Sequence, residues 1–480
     1  MSLYEDVKTI FESEHAVDLF RTLYEATVPQ VVRGSFGEFY TPYWLADHVI
    51  ESSGLSANWS LLDPCCGSGT FVIAAIARLR KDLQGRPKAE ILSAILERVV
   101  AIDLNPLAVL TSRIHYFIHI ADLLEEDLKS LVIPVFLGDA SYVPEVIREG
   151  EVEFLSYELR TLKTPISIMM PTSFARQRTR FVVSMLEYER LVKSKNQQRA
   201  ITYIVNQLDK DQRLPIATKK LQELTAQLVA LEEKGWNGIW ARIITNFLTT
   251  ACIGRFSNIV SNPPWIDWKS LPAGYRDKIK SLCIDRGLFS GAGRTGGINL
   301  NICALIAHVS ATNWLQRKGC LAFLMPRELA NQASYEGWRK SVGGRECSFR
   351  EFHDWSDAGY PFDPVKEDFM TFFLERRKND QSILPVVSFH KKKKVKGNLG
   401  AHAWRTIREA MDNLDIKNRV AGQIIAGSTA YTFSDSPARL KKFSRIAGKS
   451  SYIGREGIEF YPQELLLFGF PRPRVLLDTR

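Results

Sequence analysis

The chain has no apolar run approaching the roughly 18 residues that a membrane span requires. Its first residues, MSLYEDVKTIFESEHAVDLF, carry acids where a signal peptide would carry a basic end followed by an unbroken apolar stretch. A cytoplasmic protein is expected. Zinc-type spacing is missing as well: no C-x2-C is paired with a second half, and the eight histidines do not supply one, so no metal is expected. Cysteine numbers only seven, an odd count with Cys65 and Cys66 adjacent, which argues against a disulfide framework.

What is present is the composition of an ordinary globular protein, 45% apolar and 24% charged. At 480 residues the chain is long for one domain and suggests about two to four units. The net charge of +10 and isoelectric point near 9.1 allow a polyanionic partner. That excess is modest for the length and does not by itself establish nucleic-acid binding.

Apolar residues at helical spacing from Tyr4 to about Gln30 predict a lead-in over residues 1–33. The stretch GSFGEFYTP, Gly34 to Pro42, breaks it with glycines and a proline. Then WSLLDPCCGSGTFVIAAIARLR reads as a strand, a small-residue turn and a helix, and ERVVAIDLNPLAVLTSRI repeats the scheme. IPVFLGDASYV supplies a third strand. Such alternation predicts a doubly wound, largely parallel α/β sheet whose ligands sit at the carboxyl ends of the strands, where Asp63, Asp103 and Asp139 all fall.

Residues 151–250 interrupt the alternation. Leu221, Leu224, Leu228 and Leu231 form one apolar stripe with charges opposite, which predicts a helical insertion. Strands resume at RFSNIVSNPPW, GCLAFLMP and EDFMTFFLERR, so the sheet is expected to continue over residues 251–390. The lysine run from Lys391 to Lys394 reads as a solvated loop opening a last region, 391–480, whose end carries no closing signal.

Three constellations carry chemistry. In DPCCGSGTF, Gly67 and Gly69 permit the backbone to approach a ligand closely at the head of a helix. The turn matches neither the dinucleotide fingerprint nor the phosphate loop ending in Gly-Lys-Ser/Thr. Asp103, at the end of the second strand, is of a type that accepts from both ribose hydroxyls, and Asp139 can accept from an adenine amino group. NPPW, Asn262 to Trp265, offers the third. An exocyclic amine is a poor nucleophile because its lone pair is conjugated; acceptors on Asn262 and the Pro263 carbonyl would stabilise charge developing on that nitrogen. Pro264 stiffens the segment, and Trp265 offers a face on which a planar group can stack. Taken singly, each stretch also fits a plain structural role: a tight turn, capping acids, a proline-rich corner with a core tryptophan.

The order FGEFYTP, DPCCGSGTF, AIDLNP, GDA, NPPW resembles the gamma-class N6-adenine DNA methyltransferases, from about Gly34 to Phe373. The resemblance implies a Rossmann-like class I methyltransferase sheet, with S-adenosylmethionine as cofactor and double-stranded DNA as partner in a bacterial or archaeal cell. It implies that Phe39, Tyr40, Thr41 and Pro42 form one wall of the cofactor pocket. Asp63, Pro64, Gly67 and Gly69 would border the methionine part, Asp103 the ribose, and Asp139 with Ala140 the cofactor adenine. Asn262, Pro263, Pro264 and Trp265 would hold a target adenine flipped from the duplex.

On this reading residues 34–150 are the cofactor half and 251–390 the target-base half, with the insertion as a DNA-contacting or partner-docking module. Residues 391–480 would then be a linker and the start of a recognition region that is incomplete here. Trp265 stands where tyrosine or phenylalanine is more usual in the family. The resemblance suggests a modification subunit of a restriction-modification system or the methylase of a phage-defence system of the BREX or DISARM type, working with other subunits. A methyltransferase acting on RNA or on protein glutamine is the nearest rival, since those enzymes use a motif like NPPY. A methylase-fold subunit that binds DNA or cofactor and is inactive alone is another.

Overall fold

The structure, a computed structural model, describes residues 41–124, 131–160, 165–234, 239–271, 273–289, 300–344, 346–359, 367–377, 382–396, 406–445 and 447. The expected lead-in, Phe39, Tyr40 and the last part of the C-terminal region lie outside these residues.

The three strands read from the first half form as β1 (Leu61–Asp63), β2 (Val99–Asp103) and β3 (Val135–Leu137). Their short β-branched and leucine runs are buried almost without alternation, as in strands covered on both faces. β7 (Phe256–Ser261) pairs in parallel with the other side of β1, and β8 (Leu315–Pro326) with β7. The chain thus runs outward from β1 to β3, then returns to fill the opposite side. The strand order reverses between β1 and β7, which opens a crevice at their carboxyl ends.

Beyond β8 come β10 (Phe369–Glu375), antiparallel to both its neighbours, and β9 (Ser348–Asp354). β11 (Ile383–Lys391), β12 (Leu414–Gly422) and β13 (Thr432–Ser434) complete one ten-stranded sheet. The boundary expected at residue 391 is therefore corrected: β11 ends there and turns back into β12 through nine paired residues, from Ile383↔Gly422 to Lys391↔Leu414. The helix Ile302–Asn313 buries every residue from Ile302 to Ala311, as expected of a helix that is apolar all round.

The insertion needs correction too. A helical insertion is expected over 151–250, but its first part is strand: β5 (Val152–Arg160) and β6 (Pro165–Pro171) form a three-stranded antiparallel sheet with β4 (Glu145–Glu149), which precedes it. Helices follow from Thr172 to Ala251. The expected stripe is buried at Leu221, Leu224 and Leu228, packed with Phe154, Met170 and Tyr188 into a core of its own.

The helix Tyr43–Ser52, which follows Pro42, packs against the far half of the sheet. Trp44 meets Trp355 edge to face at 5.9 Å, and Trp355 stacks on Phe389 at 3.9 Å. Beside them His48 Nε2 lies 3.1 Å from His353 Nδ1, with Arg350 also acting on His353. Burial holds the His48 imidazole down to about 4, and burial, then His48 and Arg350, hold His353 well below the usual range. Both rings are neutral when folded, so their contribution is present above the unfolded value of about 6.5 and is lost as pH falls toward the folded ones. His48→Gln cannot titrate. The stability gap between the native chain and this variant, read from urea midpoints, should shrink by on the order of 2 kcal/mol between about pH 6.5 and 4.5; a constant gap would refute the coupling.

Candidate active site

At the end of β1 the chain turns through Pro64 to Gly69 into the helix Thr70–Asp82. Gly69 caps that helix at φ +98°, and an added Cβ would come within 2.7 Å of Ser112 Oγ, so a side chain is excluded on two grounds. The turn is pinned by neighbouring backbone: Cys66 N–H donates to the Ile102 carbonyl at 2.9 Å and Gly69 N–H to the Cys66 carbonyl at 2.8 Å. His115 Nδ1 donates to the Ser68 carbonyl at 2.7 Å.

The three acids sit at successive strand ends. Asp63, the last residue of β1, is fully buried; its Oδ1 accepts from Ser261 Oγ at 2.7 Å and from Cys65 N–H at 3.2 Å. Its Oδ2 is buried with no hydrogen-bond partner among the described residues. Burial pushes this carboxyl up to about 7, against the opposing pull of those two donors. Asp103 closes β2, accepting from Gly67 N–H and Asn105 N–H, each at 2.8 Å, which ties the glycine turn to the neighbouring strand. Asp139, two residues past β3, accepts at Oδ1 from Ser141 N–H at 2.8 Å and Ser141 Oγ at 2.5 Å.

Tyr275 was not identified from the sequence. It lies on the helix Ala273–Asp285, and its hydroxyl is 3.3 and 3.2 Å from the two Asp139 oxygens and 2.8 Å from Ser141 Oγ. Burial foremost, then the Asp139 charge, raises its phenol far above the ordinary value. It bridges the chain that follows NPPW to the end of β3. No periodicity could announce a pairing across 136 residues.

One cavity of about 550 Å³ lies at the reversal point and draws these pieces together. Thr41, Pro64, Gly67, Asp103, Asp139, Ala140, Asn262 and Pro264 line it, with Tyr275, Cys65, Leu271, Ile302 and Ile306. Other residues singled out in the sequence stand behind the wall. Pro42 precedes the helix Tyr43–Ser52 and its carbonyl accepts from Leu45 and Ala46 N–H; Pro263 is buried. Trp265 is 9% exposed, donates from Nε1 to the Leu324 carbonyl at 3.0 Å and packs against Phe369 at 5.6 Å.

The electrostatics are one-sided: the lining holds Asp103 and Asp139, with Asp63 beneath, and no lysine, arginine or histidine among the described residues. Burial, then Asp103 and Asp63, drives the Cys65 thiol well upward, so it is protonated and inert as a nucleophile. Such a cavity suits an apolar ligand that carries positive charge and hydroxyl donors. It opposes one that carries phosphates.

Residues 15–127 match the model of a family described as N-6 DNA Methylase. Among solved structures, the chain resembles the ATP-dependent Type ISP restriction-modification enzyme LlaBIII bound to DNA, at 11% identity and a TM-score of 0.43, over 79% of this chain and 21% of that one. It resembles the Type I restriction enzyme EcoKI M protein at 12% identity and a TM-score of 0.35, over 73% and 48%. For the methyltransferase subunit of a type I restriction-modification system from Streptococcus thermophilus the values are 12% and 0.37, over 80% and 56%. The chain thus spans between about a fifth and just over half of these proteins. A search of curated proteins finds no match.

Gly69→Ala should lower stability by about 1–3 kcal/mol through strain at positive φ and the contact with Ser112. An unchanged urea midpoint would show that the turn has room to adjust.

Proposed function

We propose that this chain is an S-adenosylmethionine-dependent methyltransferase that modifies N6 of adenine in double-stranded DNA, within a restriction-modification or phage-defence system and alongside other subunits. The observation that carries the proposal is a cavity at the reversal point, acidic on the β1–β3 side and bearing Asn262 on the other. The family match over residues 15–127 supports the same reading.

Among the described residues Asp63 Oδ2 beneath the floor has no hydrogen-bond partner and the lining has no cationic side chain, which fits a cofactor with positive charge, an apolar body and a ribose. In this proposal Pro64, Gly67 and the helix head at Thr70 hold the methionine part, and Asp103 accepts from the ribose hydroxyls. Asp139 and Ala140 border the adenine, and Thr41 closes the opposite wall. The cofactor, when bound, supplies an electrophilic methyl group. The chain's own part is positioning: the Asn262 side-chain oxygen and the Pro263 carbonyl accept the two amino hydrogens, and a target nitrogen held so bears positive charge at lower cost. The pair Trp265 and Phe369 supports the segment from behind. Rate would come from orientation and electrostatics.

Asn262→Ala should leave cofactor affinity within about twofold while lowering methyl transfer by roughly a hundredfold or more. The readout is tritium from labelled S-adenosylmethionine in N6-methyladenine, after digestion of unmethylated genomic DNA to nucleosides. Label at another base or in protein would overturn the proposed activity, and full transfer by the variant would overturn the clamp.

Asp63 supplies a pH test. With its carboxyl pushed up to about 7, it is mainly protonated in the free chain on the acid side of neutrality, and a bound cation favours the ionised form. Cofactor affinity should therefore rise by up to about tenfold per unit from roughly pH 6 to 7 and level off above. Asp63→Asn should flatten the profile in calorimetric titration; parallel profiles would remove Asp63 from the site.

A further inference from the structure

At the opposite, amino-terminal edge of the sheet lies a larger cleft, of about 780 Å³. Arg98, which precedes β2, and Arg255, which precedes β7, face Arg176 and Arg180 from the joint between the inserted helices Thr172–Arg176 and Arg178–Lys193. The lining thus sets four guanidinium groups against one carboxylate, Glu97. Asp209 meets the charge of Arg180 at 2.8 Å. Arg98, Arg176 and Arg255 have no such carboxylate partner among the described residues.

Two of the three are held in place by one edge only. Arg98 Nε donates to the Trp59 carbonyl at 2.6 Å while its guanidinium lies 5.4 Å over the Trp59 ring. Arg255 Nη1 donates to the carbonyls of Thr312 and Leu315, at 3.1 and 2.8 Å. Each fork is anchored to backbone through part of its donor set. An oxyanion with several acceptor oxygens matches the donors that are left. Among the described residues Asp82 and Glu97 act on Arg98 and Glu346 on Arg255 without an ion pair at contact distance, so four guanidinium groups in one cleft still repel one another, and a bound anion would lower that cost.

We propose that this cleft is a binding site for a phosphate-bearing ligand, either a free polyphosphate or nucleotide or the backbone of a nucleic acid. Its volume suits a nucleotide-sized group. It is separate from the acidic cavity, since the six residues of β7 hold the two ends roughly 20 Å apart.

The test uses the full chain and inorganic tripolyphosphate as the calorimetric probe. The double variant Arg176→Gln, Arg255→Gln should raise its Kd by about tenfold or more, and Arg176→Gln alone by several-fold. Arg176 makes no hydrogen bond or ion pair with a described residue, so the single variant keeps the test valid if the double one folds poorly. Urea midpoint and S-adenosylmethionine affinity of the single variant should not move. Failure of the native chain to bind tripolyphosphate, or equal affinity in the variants, would overturn the proposal. A duplex made only of G·C pairs separates the two sources. A drop of about two in the slope of log K against log salt assigns the cleft to nucleic-acid backbone. An unchanged slope with lost tripolyphosphate affinity assigns it to a free phosphate compound.

Discussion

The hydrogen bond from Ser261 to Asp63 joins the last residue of β7 to the last residue of β1 at the point where the strand order reverses. Both residues are fully buried, so the bond is not diluted by water and its length is set by the pairing of Leu61 with Asn258 and Leu62 with Ile259. Everything at the site is positioned from this link. Pro64 and the glycine turn leave from one end of it, and Asn262 begins at the other. A buried carboxylate with one oxygen unpartnered is unfavourable for folding alone, and that strain is concentrated where a cationic ligand would relieve it.

The sheet separates charge along its own strands. Carboxylates gather at the ends of β1 to β3, and arginines gather at the opposite edge. A separation of roughly 20 Å exceeds the physiological Debye length of about 8 Å that applies to charges facing solvent. The two ends therefore select ligands of opposite sign independently. A phosphate is disfavoured at the acidic end for the reason that makes it welcome at the basic one.

Much of this was legible in the residues. β1, β2, β3 and β7 are short apolar runs bounded by Asp63, Asp103, Gly138 and Asn262, and fully buried parallel strands leave that trace. β9 left none, because SFREFHD carries charged residues and a histidine whose burial depends on partners far along the chain: His353 meets His48, and Arg350 donates to the Ser52 and Ser53 carbonyls. β4 and β5 form a hairpin across Gly150 at φ +61°, a signal overshadowed by the helical stripe that follows. The lysine run hid the end of β11, since Lys391 still pairs in the sheet while Lys392 turns to donate to the Asp412 carbonyl. Trp265 shows the limit of motif reasoning. Its residue type suggests a stacking face, but where the ring packs depends on Phe369 and Leu324, which only the folded sheet brings near.

The inserted domain is constrained by where it must begin and end. The chain leaves the sheet at the carboxyl end of β3 and re-enters at the amino end of β7, so the insertion has to span the height of the sheet. A separate core lets it do so without drawing on the packing of the main sheet. Its last helix lies against β3, where Gly138 leaves space for Thr250, and the Thr250 carbonyl accepts from Trp314 Nε1 at 3.0 Å. Near its start Tyr142 meets Tyr157, which stacks on Phe247 of that same helix. One packed unit therefore reaches from Ser141, beside the acidic cavity, to Arg176 and Arg180 in the basic cleft.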